Sequence, residues 1–220
     1  RPMTADNQWY KPGRTYKEEI DYFNNEAKKR GIENVKLISL EWNVGPSENI
    51  DLSPNEFQCA LIQSEMLMQF MDGGMDMATM WTILWITKSG TPKFSNRYLM
   101  NYNDNYRLLP CYDMFVLLSQ ALNKVKCEVS SSTNAIYPLA VKSPYNSEKI
   151  IYLLHKGVFE VHTEIMAPES KNFKLEVFSA DKNNTAEGNV KQVDCIFNKD
   201  TKKYHFILPG LSLAKLTIID

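Results

Sequence analysis

The hydrophobic period of this chain changes near residue 125, and that change limits the folds open to it. From residue 15 to 123, stretches with helical spacing alternate with short apolar runs. Beyond 125, short alternating runs recur at 126–130, 135–142, 149–155, 158–166, 173–179, 190–197, 203–208 and 212–219. Turn residues separate them, including Ser143-Pro144, Asn183-Asn184, Asn198-Lys199-Asp200 and Pro209-Gly210. Helices interleaved with strands make a parallel sheet or barrel, whereas repeated two-residue alternation with turns makes an antiparallel sandwich. The expected architecture is therefore α/β plus all-β, divided as 1–124 and 125–220.

Within the first part, Thr15 opens a helix and Glu18 completes a capping box. Ile20, Phe23 and Ala27 give it one apolar face, and Lys28-Lys29-Arg30 followed by Gly31 close it. Residues 35–40 read as a buried strand that ends on Glu41. Ser53-Pro54-Asn55-Glu56 starts a second helix whose Phe57, Ala60, Leu61, Ser64, Leu67, Met68 and Met71 share a stripe, stopped by Gly73-Gly74. Residues 76–86 read as a second buried strand. Pro110 opens a third helix, with Tyr112, Phe115, Val116, Ser119 and Leu122 expected on its packed face. Two strands cannot close a barrel, so this part is expected to be incomplete on its N-terminal side.

Glu41 is the residue with chemical interest. A carboxylate at the end of a buried strand is costly unless it is paired or used. Strand ends of that kind carry catalytic groups in α/β barrels. The plainer alternative is a solvated or salt-bridged Glu opening a polar loop. The neighbouring Asn43 either meets a ligand hydroxyl or caps the same loop.

Other classes are narrowed by composition. The net charge of −1 over 220 residues, without a Lys/Arg block, argues against a nucleic-acid partner. No apolar run is long enough to span a membrane. Cys59, Cys111, Cys127 and Cys195 are scattered without a C-x-x-C pair, so packed thiols or at most one disulfide are expected, and no metal site. His155, His162 and His205 lie in or beside strands with no ligand spacing. Asn183-Asn184-Thr185 matches a glycosylation sequon.

Leu37-Ile38-Ser39-Leu40-Glu41-Trp42-Asn43-Val44 resembles the seventh-strand segment of clan A retaining glycoside hydrolases, nearest families 39 and 51. Met80-Trp81-Thr82-Ile83-Leu84-Trp85 is similar to their eighth strand, and Leu109-Pro110-Cys111-Tyr112-Asp113-Met114-Phe115 to the start of their eighth helix. Leu208-Pro209-Gly210-Leu211-Ser212-Leu213 fits the close of their C-terminal domain. The resemblance implies the C-terminal portion of a (β/α)8 barrel followed by an antiparallel β-sandwich. It also implies hydrolysis of poly- or oligosaccharides by double displacement, without cofactor, in a secreted or periplasmic protein.

On that resemblance Glu41 would be the nucleophile. Trp42, Trp81 and Trp85 would offer aromatic faces to sugar C–H groups, with Asn43 beside them. Gln8-Trp9-Tyr10 is similar to a His-x-Tyr run after strand six, which would bring Tyr10 to the substrate, although Gln8 replaces the His. The family's acid/base follows an Asn at the end of strand four. Here Asn25-Glu26 and Asn55-Glu56 both fall in helices, so that group is expected from a missing N-terminal barrel segment or a second chain. The alternative function is a non-catalytic carbohydrate-binding or structural module. All four tryptophans precede residue 90, which weighs against a binding role for the all-β half.

Overall fold

The computed structural model describes residues 15–44, 54–84, 95–180 and 186–219. The chain mixes helices with mostly antiparallel sheets and divides into two compact units, Arg1–Tyr112 and Asp113–Asp220.

In the first unit, α1 (Tyr16–Lys29) starts from the Thr15–Glu18 capping box that the spacing predicts. Gly31, at a φ of 69°, turns the chain out of the helix. Of the expected apolar face, Ile20 is buried and Phe23 is exposed. β1 (Ile38–Trp42) pairs in parallel with β2 (Met77–Met80), joined by α2 (Glu56–Gly73). A helix is the usual way to connect parallel strands. The α2 cap is Asn55 with Gln58, not Ser53, because the Asn55 side chain takes the Gln58 N–H. Gly74, at a φ of 79°, ends the helix, not Gly73. Gly73 serves the packing instead: a Cβ there would lie 2.9 Å from Ile20 Cδ1 on α1. α2 is buried on nearly every side, including Gln63, Ser64, Glu65 and Gln69, and not along one stripe. Gln69 Oε1 accepts from the Tyr16 N–H and so fixes the start of α1 against it.

Both strands differ from the expected buried pair. β1 begins three residues later than 35 and keeps Ile38 and Leu40 exposed, Leu40 at 73%. β2 covers four residues of the expected 76–86. A parallel strand is buried when neighbours flank it and helices cover both faces. Among the described residues, β1 and β2 pair with each other alone. Directly beyond β2 the Trp81 carbonyl accepts from the Asn43 side chain, and the Trp81–Thr82 peptide is cis. Ahead of β1, the Asp76 carboxylate accepts from Lys36 Nζ and the Leu37 N–H, and these bonds hold it below the usual carboxylate range. A short antiparallel pair, β3 (Met100–Asn101) and β4 (Arg107–Leu108), precedes α3 (Pro110–Ser119).

Among the described residues, the second unit holds nine strands in two antiparallel sheets. They are β5 (Val125–Cys127), β6 (Ile136–Lys142), β7 (Lys149–His155), β8 (Val161–Met166), β9 (Asn172–Ala180), β10 (Gly188–Gln192), β11 (Ile196–Asn198), β12 (Lys203–Leu208) and β13 (Ser212–Ile219). One sheet runs β10-β9-β13-β7-β6-β5 and the other β11-β12-β8. The single run expected at 190–197 is two strands, one in each sheet. Leu153, Leu175, Val177, Ala214, Leu216 and Ile218 of the larger sheet meet Tyr204, Phe206 and Leu208 of the smaller in one core.

On its other face the larger sheet buries Tyr152, Phe178 and Leu213, and Tyr152 donates to the Leu117 carbonyl of α3. The α3 residues packed inward are Cys111, Met114, Leu117 and Leu118, while Tyr112 and Val116 are exposed, the reverse of the expected face. Both sides of α3 are apolar in sequence, so periodicity alone cannot choose between them. The end of α3, from Asp113 on, groups with this sheet in the second unit. At the centre of that face Lys215 is 2% exposed and donates to Glu176 at 2.6 Å and to Gln120 at 2.9 Å.

Candidate functional site

Ser39 pairs with Ala78 and Trp42 with Met80, so Leu40 and Glu41 together stand opposite Thr79 alone. The register thus shifts by one residue, as at a β-bulge, which bends a strand and re-aims a side chain. Glu41 sits inside it as the penultimate residue of β1, with an exposed side chain. Trp42, the next residue, is buried and meets Phe70 of α2 edge-on at 5.6 Å. Trp42 thus anchors the strand against the helix, while the neighbouring Glu41 keeps its side chain exposed.

Asn43 ties the strand end to two other segments. Its Nδ2 donates to the carbonyls of Trp81 at 2.8 Å and Arg97 at 3.2 Å. Its Oδ1 accepts from the Val44 N–H at 2.7 Å and from Gln63 Nε2 at 2.8 Å. An amide has two donors and two acceptor lone pairs, so Asn43 is fully engaged within the protein. Its bond to the Val44 N–H is the one a loop cap makes. Gln63 also donates to the Arg97 carbonyl, and Arg97 Nη1 donates to the Val44 carbonyl. Gln63 and Arg97 carried no signal in the sequence, since neither falls on a periodic stripe or a motif. Replacing Asn43 with Ala should destabilise the first unit by about 2 kcal/mol, because buried partners lose their bonds together. Urea unfolding of the variant measures this directly.

Trp81 lies directly beyond β2, 53% exposed, and its N–H donates to the Trp42 carbonyl at 3.1 Å. The backbone thus brings Trp81 beside the Glu41–Asn43 segment. Tyr10 and Trp85 lie outside the described residues, as do the 183–185 sequon and Glu48 and Asp51 of the loop after Glu41.

The remaining candidates have structural places. His155 is buried with Nδ1 2.8 Å from the Pro209 carbonyl. His205 lies 3.6 Å from Glu164, which pairs with Lys203. The four cysteines are free, and burial pushes the thiol of Cys59 up to about 12 and that of Cys195 to about 11. Such thiols stay protonated at neutral pH and are poor nucleophiles. Among the described residues, no three His, Cys, Asp or Glu side chains are grouped to hold a metal ion.

No known protein-family profile matches this chain, and no curated protein matches it in sequence. Its fold does match solved structures. A glycoside hydrolase family 30 subfamily 8 xylanase from Clostridium acetobutylicum superposes with a TM-score of 0.61 at 12% identity, covering 96% of this chain and 47% of that one. A bifunctional glucanase-xylanase from a metagenome library gives 0.60 at 16% identity, covering 98% and 38%. A family 44 xyloglucanase from Paenibacillus polymyxa gives 0.61 at 12% identity, covering 98% and 40%. The chain therefore has the fold of part of these glycoside hydrolases and spans less than half their length. The families named by these structures are 30 and 44, whereas the sequence motifs point to 39 and 51.

Proposed function

We propose that this chain is the C-terminal portion of a retaining glycoside hydrolase that acts on poly- or oligosaccharides built from pyranose units. In this reading β1-α2-β2-α3 are the last strand–helix units of a (β/α)8 barrel, and the two antiparallel sheets form its β-sandwich. The observation that carries it is the exposed Glu41 carboxylate, set at a shift in register near the C-terminal end of a parallel strand. That is where barrel enzymes keep their catalytic groups. The shared fold with xylanases and glucanases supports the substrate class.

Glu41 would attack the anomeric carbon and form a glycosyl–enzyme intermediate. A second carboxyl group about 5–5.5 Å away would protonate the leaving oxygen and then activate water. Trp81 would offer its exposed ring to the sugar, and Trp42 and Asn43 would hold the strand end in place. The partner carboxylate would come from strands outside this chain, supplied by an N-terminal barrel segment or a second chain. Those strands would also cover Ile38, Leu40 and Met77, which are exposed here.

The purified 220-residue chain should hydrolyse none of a panel of aryl glycosides and polysaccharides, and light scattering should show oligomers. Exposed parallel-strand edges favour such association. Robust hydrolysis by a monodisperse monomer would overturn the proposal that the second carboxylate lies elsewhere.

A further inference from the structure

Gln63 carries more hydrogen-bonding groups into the interior than its neighbours need. It lies on α2 at 0% exposure, and a fully buried glutamine is uncommon. Its Nε2 donates to Asn43 Oδ1 at 2.8 Å and to the Arg97 carbonyl at 2.7 Å. Both partners are acceptors, so the amide cannot be turned over and its nitrogen must face them. Its Oε1 is buried with no hydrogen-bond partner among the described residues. A bare buried acceptor costs stability, and something must offset it.

Satisfying the two partners does not. Asn43 Oδ1 already accepts from the Val44 N–H at 2.7 Å, and the Arg97 carbonyl already accepts from Asn43 Nδ2 at 3.2 Å. Neither oxygen would be orphaned without Gln63. Packing does not offset it either, because a methionine of similar length would fill the space with no polar atom to bury.

What the two bonds add is geometry. α2 is buried on nearly every side, and Gln63 ties two segments to it. One is the end of β1, where Asn43 stands two residues beyond Glu41. The other is the short turn Ser95–Arg97, whose Arg97 also donates from Nη1 to the Val44 carbonyl. Asn43 extends the tie to the Trp81 carbonyl, which accepts from Nδ2 at 2.8 Å. The strand end that carries Glu41 and the segment that carries Trp81 therefore share one anchor on the helix.

We infer that Gln63 is a positioning residue, which sets the Glu41 strand end and the Trp81 segment relative to α2 without meeting substrate itself. The inference deepens the glycosidase reading and rests on it for the reaction served. A misplacement of about 1 Å can lower a rate by about 10²-fold, so loss of the tie should be felt in turnover before it is felt in folding. In the protein that carries all of its barrel strands, Gln63→Met should lower kcat about tenfold or more, with KM within about threefold of wild type. The urea midpoint should change little, since both acceptors keep their other bonds. In the 220-residue chain the same variant should speed hydrogen exchange at the Val44 and Trp81 amides about tenfold, and leave Leu61 and Ile62 of α2 unchanged.

Unchanged exchange at Val44 and Trp81 would overturn the inference, as would an unchanged kcat. A uniform rise in exchange with a matching loss of urea stability would make Gln63 a packing residue and overturn it too. If the assembled wild type turned over no glycoside, the catalytic reading would fall, and the exchange pattern alone would decide whether Gln63 holds the strand end.

Discussion

Replacing Glu41 with Gln in the protein that carries all of its barrel strands is expected to lower kcat on the order of 10³-fold or more. The amide keeps the size and shape of the side chain and removes the charge that attacks the anomeric carbon. A nucleophile that forms the covalent intermediate has no substitute within the same bond-forming step, so the loss should fall on kcat and on kcat/KM alike. Stability should move by no more than about 0.5 kcal/mol, because Glu41 is exposed and its bulge is held by backbone pairing and Trp42. The measurement is steady-state kinetics on an aryl glycoside beside urea unfolding. Activity within tenfold of wild type would remove Glu41 from the chemistry. Equal losses of activity and stability would instead make it a structural residue of the bulge.

The largest stability effect is expected at Lys215. Its ammonium lies on the centre strand of the larger sheet, 2% exposed, between Glu176 and Gln120. Removing one member of a buried ion pair strands the other, at a cost of about 3–5 kcal/mol. Lys215→Met keeps the length of the stem and isolates that electrostatic loss from a packing loss. Lys174, which also reaches Glu176 at 2.7 Å, is half exposed and offers partial compensation. Pairing Lys215→Met with Glu176→Gln should recover part of the loss, since an uncompensated charge no longer remains.

The same pair sets an acid limit. Burial raises the affinity of Glu176 for a proton, but the hydrogen bonds and charges of Lys174 and Lys215 outweigh it and hold the carboxyl below its usual range. A lowered carboxylate stabilises the fold above the unfolded value, near 4.3. That contribution disappears as pH falls through the lower folded value. Wild type should therefore lose stability below about pH 4.5, and Glu176→Gln should flatten that part of the profile in thermal unfolding measured across pH.

Local chemistry was readable from residues, and long-range geometry was not. The Thr15–Glu18 box and the Pro110 start involve partners within one helical turn, so spacing alone reveals them. The strands after 125 declare themselves by alternation and turn residues, although the corner at 193–195 does not, because a strand may change sheets without breaking its period. The packed face of α3 leaves no trace in the period, because exposed Tyr112 and Val116 alternate with buried Met114 and Leu117 on a helix hydrophobic on both sides. At the candidate site, the Glu-Trp-Asn run marks the strand end that carries Glu41. The bulge that aims Glu41 depends on the register of a strand forty residues away in sequence. The Asn43–Gln63–Arg97 tie joins residues 20 and 54 positions apart in sequence. Neither arrangement leaves a periodic trace.

The threading of the second unit has a consequence for how it comes apart. The chain passes between its two sheets from β7 to β8, from β8 to β9, from β10 to β11 and from β12 to β13. The strands of both sheets also share one core, so the unit is expected to open in a single cooperative event. The amides of Tyr204 in the smaller sheet and Leu216 in the larger should exchange with deuterium through that one event, with equal opening free energies. A mutation deep in either sheet would be felt by both, and the unit would tolerate insertions at its turns far better than any loss of a strand.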